Sequence, residues 1–294
     1  MTDSGKRVLA YSATGAQGRA IVEQLLAQGH SVRALVRDVR RAADLAQRGV
    51  EVREVNFTDE TALIRAHQGV DAVSALIPVS LPLSDMLEFA RRTLSAVQAA
   101  DVPHTVVTIS SVIPAAQTGR EGPDARVSLA DMVRRLVPQA TRLNVTLYLE
   151  NFSQALRGAL EQGVIPQAVP EDVPVAYLSL HDLARFVVAA LERPALAGRS
   201  FALAGPEALT GSQLASQLGE AIGKPLYYQA LPPEAMMPML SPVIGELVAR
   251  QVADMYAWEG GEGRALLNPD LSRTLEALPI ALTPVKVWAE GALR

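Results

Sequence analysis

The sequence predicts an α/β protein built on a doubly wound parallel sheet, with a smaller α/β lobe toward its C-terminus. Three observations lead there. Short runs rich in Val, Leu and Ile alternate with longer stretches of helical period, the pattern of a sheet buried between two helical layers. Each intervening stretch is long enough for the crossover that joins parallel neighbours. At 49% apolar content, 294 residues can fill one enlarged domain or two lobes.

In chain order, strands are expected at Val8–Tyr11, Ser31–Val36, Glu51–Val55, Ala72–Ile77 and Thr105–Ile109. Helices are expected between them at Gln17–Gln28, Arg40–Gln47, Glu60–Ala66 and Pro82–Ala100. Pro114–Asp124 holds two glycines and two prolines and reads as a loop. A helix over Ser128–Arg142 and a sixth strand at Thr146–Leu149 follow. The first domain is therefore expected over residues 1–150, and a lobe packed closely on it over 151–294. In that lobe Ser179 caps a helix through Leu191, a strand spans Ser200–Ala204, and Thr210 with Gln213 forms a capping-box pattern.

The composition excludes several classes. A net charge of −4 without a basic stripe argues against nucleic acid. With no cysteine there is no thiolate nucleophile or ligand, and no metal-ligand spacing is found among the four histidines. No apolar run reaches the roughly 18 residues of a membrane span, and the strand at Val8 leaves no room for a leader. The expectation is a cytoplasmic protein with no membrane partner. The sequence leaves the oligomeric state open.

Ser12-Ala13-Thr14-Gly15-Ala16-Gln17-Gly18 follows the first strand and opens the first helix. A pyrophosphate needs close backbone approach and unpaired N–H groups at a helix N-terminus, so glycines at this turn mark a Rossmann dinucleotide site. Nineteen residues beyond Gly18, just after the second strand ends at Val36, stands Arg37, where an NAD site carries an acid for the ribose hydroxyls. A cation there, joined by Arg40 and Arg41, fits a 2′-phosphate, so NADP is expected before NAD.

These segments resemble the NmrA-like group of atypical short-chain dehydrogenases/reductases. The likeness rests on Ala13–Gly18, on Arg33–Asp38, on Asp71–Pro78, on Ser110-Ser111, on His181–Ala184 and on Gly205–Thr210. The resemblance implies that Asn56 and Phe57 lie by the adenine, Ile77 and Pro78 along the cofactor, and Ser110 and Ser111 near the nicotinamide. Three departures bear on function. Ser12 stands for the usual glycine and is expected to loosen the turn. Asn56 replaces an acid. None of the three lysines, Lys6, Lys224 and Lys286, follows a tyrosine by four residues, so the usual proton-donating pair is missing. Where relatives carry Lys and Glu one turn apart, this chain has Asp131 and Arg135, spaced for an i,i+4 ion pair.

Two candidates for substrate chemistry remain. Ser111 ends a parallel strand, where its hydroxyl can meet a substrate carbonyl or bond its own loop. Tyr148, at the end of the expected sixth strand, is a proton donor or a core residue with its hydroxyl at the rim. His181 reads as a helix N-terminal residue. The segment Met236, Met237, Met239 and Leu240, with Val243 to Met255, suits an apolar substrate wall or a subunit contact. Two functions follow: an NADPH-dependent reductase of a quinone or similar apolar carbonyl compound, or a noncatalytic NADP(H) sensor acting through a protein partner.

Overall fold

The structure is a computed structural model that describes residues 5–78, 80–153 and 162–292. Its main sheet has seven parallel strands: β1 (Arg7–Ala10), β2 (Ser31–Val36), β3 (Glu51–Glu54), β4 (Ala72–Ile77), β5 (Thr105–Ile109), β6 (Thr141–Val145) and β8 (Ser200–Leu203). The order is β3-β2-β1-β4-β5-β6-β8. A second sheet pairs β7 (Val164–Gln167) with β9 (Tyr227–Ala230).

Alternation along each strand decides the layers. Val8 and Ala10 face a core shared with α1 (Ala16–Ala27) and α6 (Leu180–Leu191). Leu9 and Tyr11 face the opposite core, shared with α3 (Glu60–His67), α4 (Leu83–Ala99) and α5 (Glu121–Leu136). Both faces are covered, as wholly apolar strands demand. A short 3-10 turn and α2 (Ala43–Gln47) occupy the segment expected as one helix over Arg40–Gln47.

Two boundaries differ from the sequence expectation for physical reasons. The α5 helix starts at Glu121, inside the expected loop, because Gly122 and Pro123 occupy its first turn, where proline's missing N–H has no helical partner to lose. It ends at Leu136, ahead of Pro138. The sixth strand is then Thr141–Val145, in register with β5 and β8, and not Thr146–Leu149. Tyr148 lies past that strand in an isolated bridge to Leu178.

The Ser179 cap and the Thr210–Gln213 capping box form as expected. The Ser179-capped helix packs on the α1 layer and β8 extends the main sheet. A separate core gathers β7, β9, α7 (Gly211–Ile222) and α9 (Glu246–Gly260), while α8 (Met237–Ile244) has no buried residue and adds nothing to it. Two more helices, α10 (Ser272–Ala277) and α11 (Val285–Ala292), close the chain. Among the described residues no helix is long and apolar enough to cross a membrane.

Candidate functional site

The strand order reverses between β1 and β4, and ligands of open α/β sheets bind at that switch, outside the carboxyl ends of the strands. A cleft of about 730 Å³ lies there, walled by residues 12–18 apart from Ala13, by the ends of β2 and β4, and by α4.

Its floor is the β1–α1 turn. Ser12 holds a left-handed backbone (φ 56°), a conformation that favours glycine. Its Oγ donates to the Leu76 carbonyl at 3.2 Å, and its own carbonyl accepts the Gly15 N–H at 3.0 Å. The hydroxyl therefore ties the turn to β4. The same Ser12 carbonyl presses on Gly18, where an added Cβ would come within 2.1 Å of it. Gly18 is thus demanded by helix-on-turn packing, a cause distinct from the ligand contact expected of both glycines. At Gly15 (φ −86°) an added Cβ would meet nothing nearer than 3.4 Å, so its bareness serves the cleft. The α1 helix starts without a side-chain cap or an acid in its first turn. Its first N–H groups and the positive end of its dipole are left for an anion.

The arginines separate into two kinds. Arg37 and Arg41 line the cleft, and among the described residues neither is in a hydrogen bond or ion pair through its side chain. Arg40, expected beside them, is absent from the wall. Its guanidinium grips Asp38, with Nη2 to Oδ2 at 2.7 Å and Nε to Oδ1 at 2.9 Å, and its side chain is 87% exposed. Phe57 lines the cleft, whereas Asn56 stands outside it and accepts from the Thr58 N–H (3.0 Å) and hydroxyl (2.8 Å), fixing Thr58 on the wall. Pro78 lines the cleft, but the Ile77 side chain is buried in the core.

A chain of hydroxyls runs to the other end of the turn. The Tyr148 hydroxyl donates to Ser110 Oγ at 3.0 Å, and Ser110 Oγ donates to Gln17 Oε1 at 2.8 Å. With Oε1 occupied, the Gln17 amide N–H₂ is the group left to face the cleft. Burial pushes the Tyr148 pKa well up, against the lowering effect of the Ser110 bond, so this tyrosine stays protonated. Ser111 is not on the wall. It is buried, with Oγ donating to the Val112 carbonyl at 3.2 Å.

Other expected residues sit elsewhere. Asp131 pairs with Arg134, one residue nearer than expected, on the exposed face of α5. His181 is exposed in the first turn of its helix. The Met236–Met255 segment contributes nothing to the cleft wall. Met239, Val243 and Leu247 are exposed, while Val248 and Met255 turn inward. The residues missed include Leu35, Thr58, Leu76 and Leu81, and a set on α4. Asp85, Glu88, Phe89 and Arg92 line the cleft, and their spacing of 0, 3, 4 and 7 was a visible one-face signal.

A sequence model of the NmrA-like family matches residues 4–286. The chain belongs to the NmrA-like family. NAD(P)H azoreductase of Xenophilus azovorans is 26% identical over 295 residues, covering 97% of this chain and 96% of that protein. Quinone oxidoreductase 2 of Escherichia coli (strain K12) is 29% identical over 221 residues, 74% of this chain and 76% of its own. Among solved structures, the Citrobacter sp. triphenylmethane reductase complexed with NADP(H) shares the fold, with a TM-score of 0.81, 21% identity and coverage of 97% and 99%.

Proposed function

We propose that this NmrA-like protein is an NADPH-dependent reductase whose acceptor is a flat conjugated molecule of the quinone or dye type. The observation that carries this reading is the pair Arg37 and Arg41, unpartnered on the wall of a cleft floored by an uncapped helix N-terminus. That donor set fits a dinucleotide with a 2′-phosphate. The backbone N–H groups at Gly15–Gly18 take the pyrophosphate, the two guanidinium groups the 2′-phosphate, and Phe57 with Phe89, 5.4 Å apart, the adenine. Full-length similarity to an NAD(P)H azoreductase and partial similarity to a quinone oxidoreductase favour electron-poor conjugated acceptors.

NADPH, when bound, supplies a hydride. The protein's share is then to position it and to exclude competing geometry. Gln17, oriented by Ser110 and Tyr148, would offer a neutral donor to the bound cofactor. Tyr148, with no lysine beside it and its pKa raised by burial, holds Ser110 in place as a donor. The proton that completes reduction of a quinone comes from solvent.

The test is a screen of quinones and azo or triphenylmethane dyes for oxidation of NADPH by the purified protein. Turnover with at least one acceptor is expected. Silence across the screen, with different affinities for NADPH and NADP+, would instead fit a sensor that reports redox state through a partner.

A further inference from the structure

Asp38 is a carboxylate in the wrong place. It directly follows Arg37, and its carboxyl is held below the usual range first by the side-chain and backbone hydrogen bonds of Arg40 and last by the charge of nearby Arg41. A free carboxylate there can pair with either cleft arginine and repel a 2′-phosphate. Yet neither Arg37 nor Arg41 is so engaged, because both Asp38 oxygens are taken by one residue. Arg40 Nε reaches Oδ1 and Oδ2 at 2.9 and 3.1 Å, Nη2 reaches Oδ2 at 2.7 Å, and the Arg40 backbone N–H caps Oδ1 at 3.0 Å. A second acid, Glu54 at the end of β3, also acts on Arg40 and accepts the Val39 N–H at 3.2 Å.

We propose that Arg40 is a specificity-determining residue that never meets the nucleotide: by chelating Asp38 it keeps Arg37 and Arg41 free for a 2′-phosphate. The inference rests on the NADPH reading above and adds to it how the preference is maintained. The planar guanidinium suits the task, since its fork matches both carboxylate oxygens and a lysine's point charge does not. Asp38 itself is retained because it caps the turn that carries Arg40 and Arg41.

The test is a double-mutant cycle read by calorimetric titration with NADPH, NADH, adenosine 2′,5′-bisphosphate and 5′-AMP. Arg40→Ala is expected to weaken NADPH and the bisphosphate about five- to tenfold, the scale of one added like charge near solvent. NADH and 5′-AMP should stay within about twofold. In the Asp38→Asn background the same Arg40→Ala change is expected to cost less than about twofold, since no carboxylate remains to be released. Arg40→Lys should fall between parent and Arg40→Ala. Equal loss from Arg40→Ala in both backgrounds would overturn the inference, because Arg40 would then act by its own charge. Parallel losses for NADPH and NADH would overturn it by showing damage to the turn. A parent protein that binds NADPH and NADH alike overturns the cofactor reading itself, an outcome distinct from either.

Discussion

Gly18→Ala attacks the turn on which the cleft depends, and its cost can be worked from the backbone. The new methyl would lie 2.1 Å from the Ser12 carbonyl oxygen, 2.5 Å from its carbon and 3.0 Å from the Ala13 nitrogen, where non-bonded carbon atoms prefer roughly 3.5–4.0 Å. The turn or the start of α1 must move by about 1 Å or more to relieve it. Ser12 cannot yield freely, since its hydroxyl is bonded to Leu76 and its carbonyl to the Gly15 N–H. Losing both bonds costs about 1 kcal/mol each, and overpacking adds about 1–3 kcal/mol. The sum, about 3–5 kcal/mol, is a factor of 100 or more if it falls on binding. If it falls on stability, it lowers Tm by roughly 10 °C. Calorimetric titration with NADPH and a thermal scan of the same sample read both shares. Parental affinity together with parental Tm would refute the packing argument.

Gly15→Ala is the contrasting case: with 3.4 Å of room and an ordinary φ, it should keep Tm within about 2 °C yet lose NADPH affinity, as measured by the same titration. Ser110→Ala should lower turnover more than NADPH affinity by freeing Gln17 from its anchor, and Tyr148→Phe should do so more mildly; a pH–rate profile unchanged by Tyr148→Phe is expected, because this tyrosine is not the acid. Glu259, buried on α9 with only the charge of Arg126 opposing the effect of burial, has its carboxyl raised from 4.5 to about 8. A raised acid is stabilising to the fold while protonated, so stability should be full below pH 4.5 and fall by up to about 5 kcal/mol as pH rises to 8. Denaturant titrations at several pH values should show this slope in the parent and its loss in Glu259→Gln.

Strands β2, β4 and β5 were legible to the residue, because unbroken apolar runs between crossovers have one reading. The place of the glycine turn and of Arg37 on the cleft wall was legible for the same reason: position after a strand puts them at its carboxyl end. What escaped depended on side-chain direction and three-dimensional contact, which spacing along the chain does not give. Nothing local says that Arg40 is bound by Asp38 while Arg41 is not, since both sit at the start of one turn and only side-chain direction separates them. Gly18 carries a spacing that fits ligand contact, and only the left-handed Ser12 reveals the clash that requires it. The α5 boundaries were misread because Gly122 and Pro123 are breakers within a helix but harmless in its first turn, while Pro138, a true stop, was passed over. Tyr148 was placed at a strand end, whereas its bond to Ser110 spans 38 residues.

The claim that this cleft holds NADPH for hydride transfer is tested most directly by kcat/KM for NADPH and for NADH, with one competent acceptor, in the parent and in Arg37→Glu. The account predicts a preference for NADPH of about tenfold or more in the parent, abolished or reversed in the variant while kcat changes little. Oxidation of NADPH and NADH at equal efficiency, or an unchanged ratio in Arg37→Glu, would contradict it.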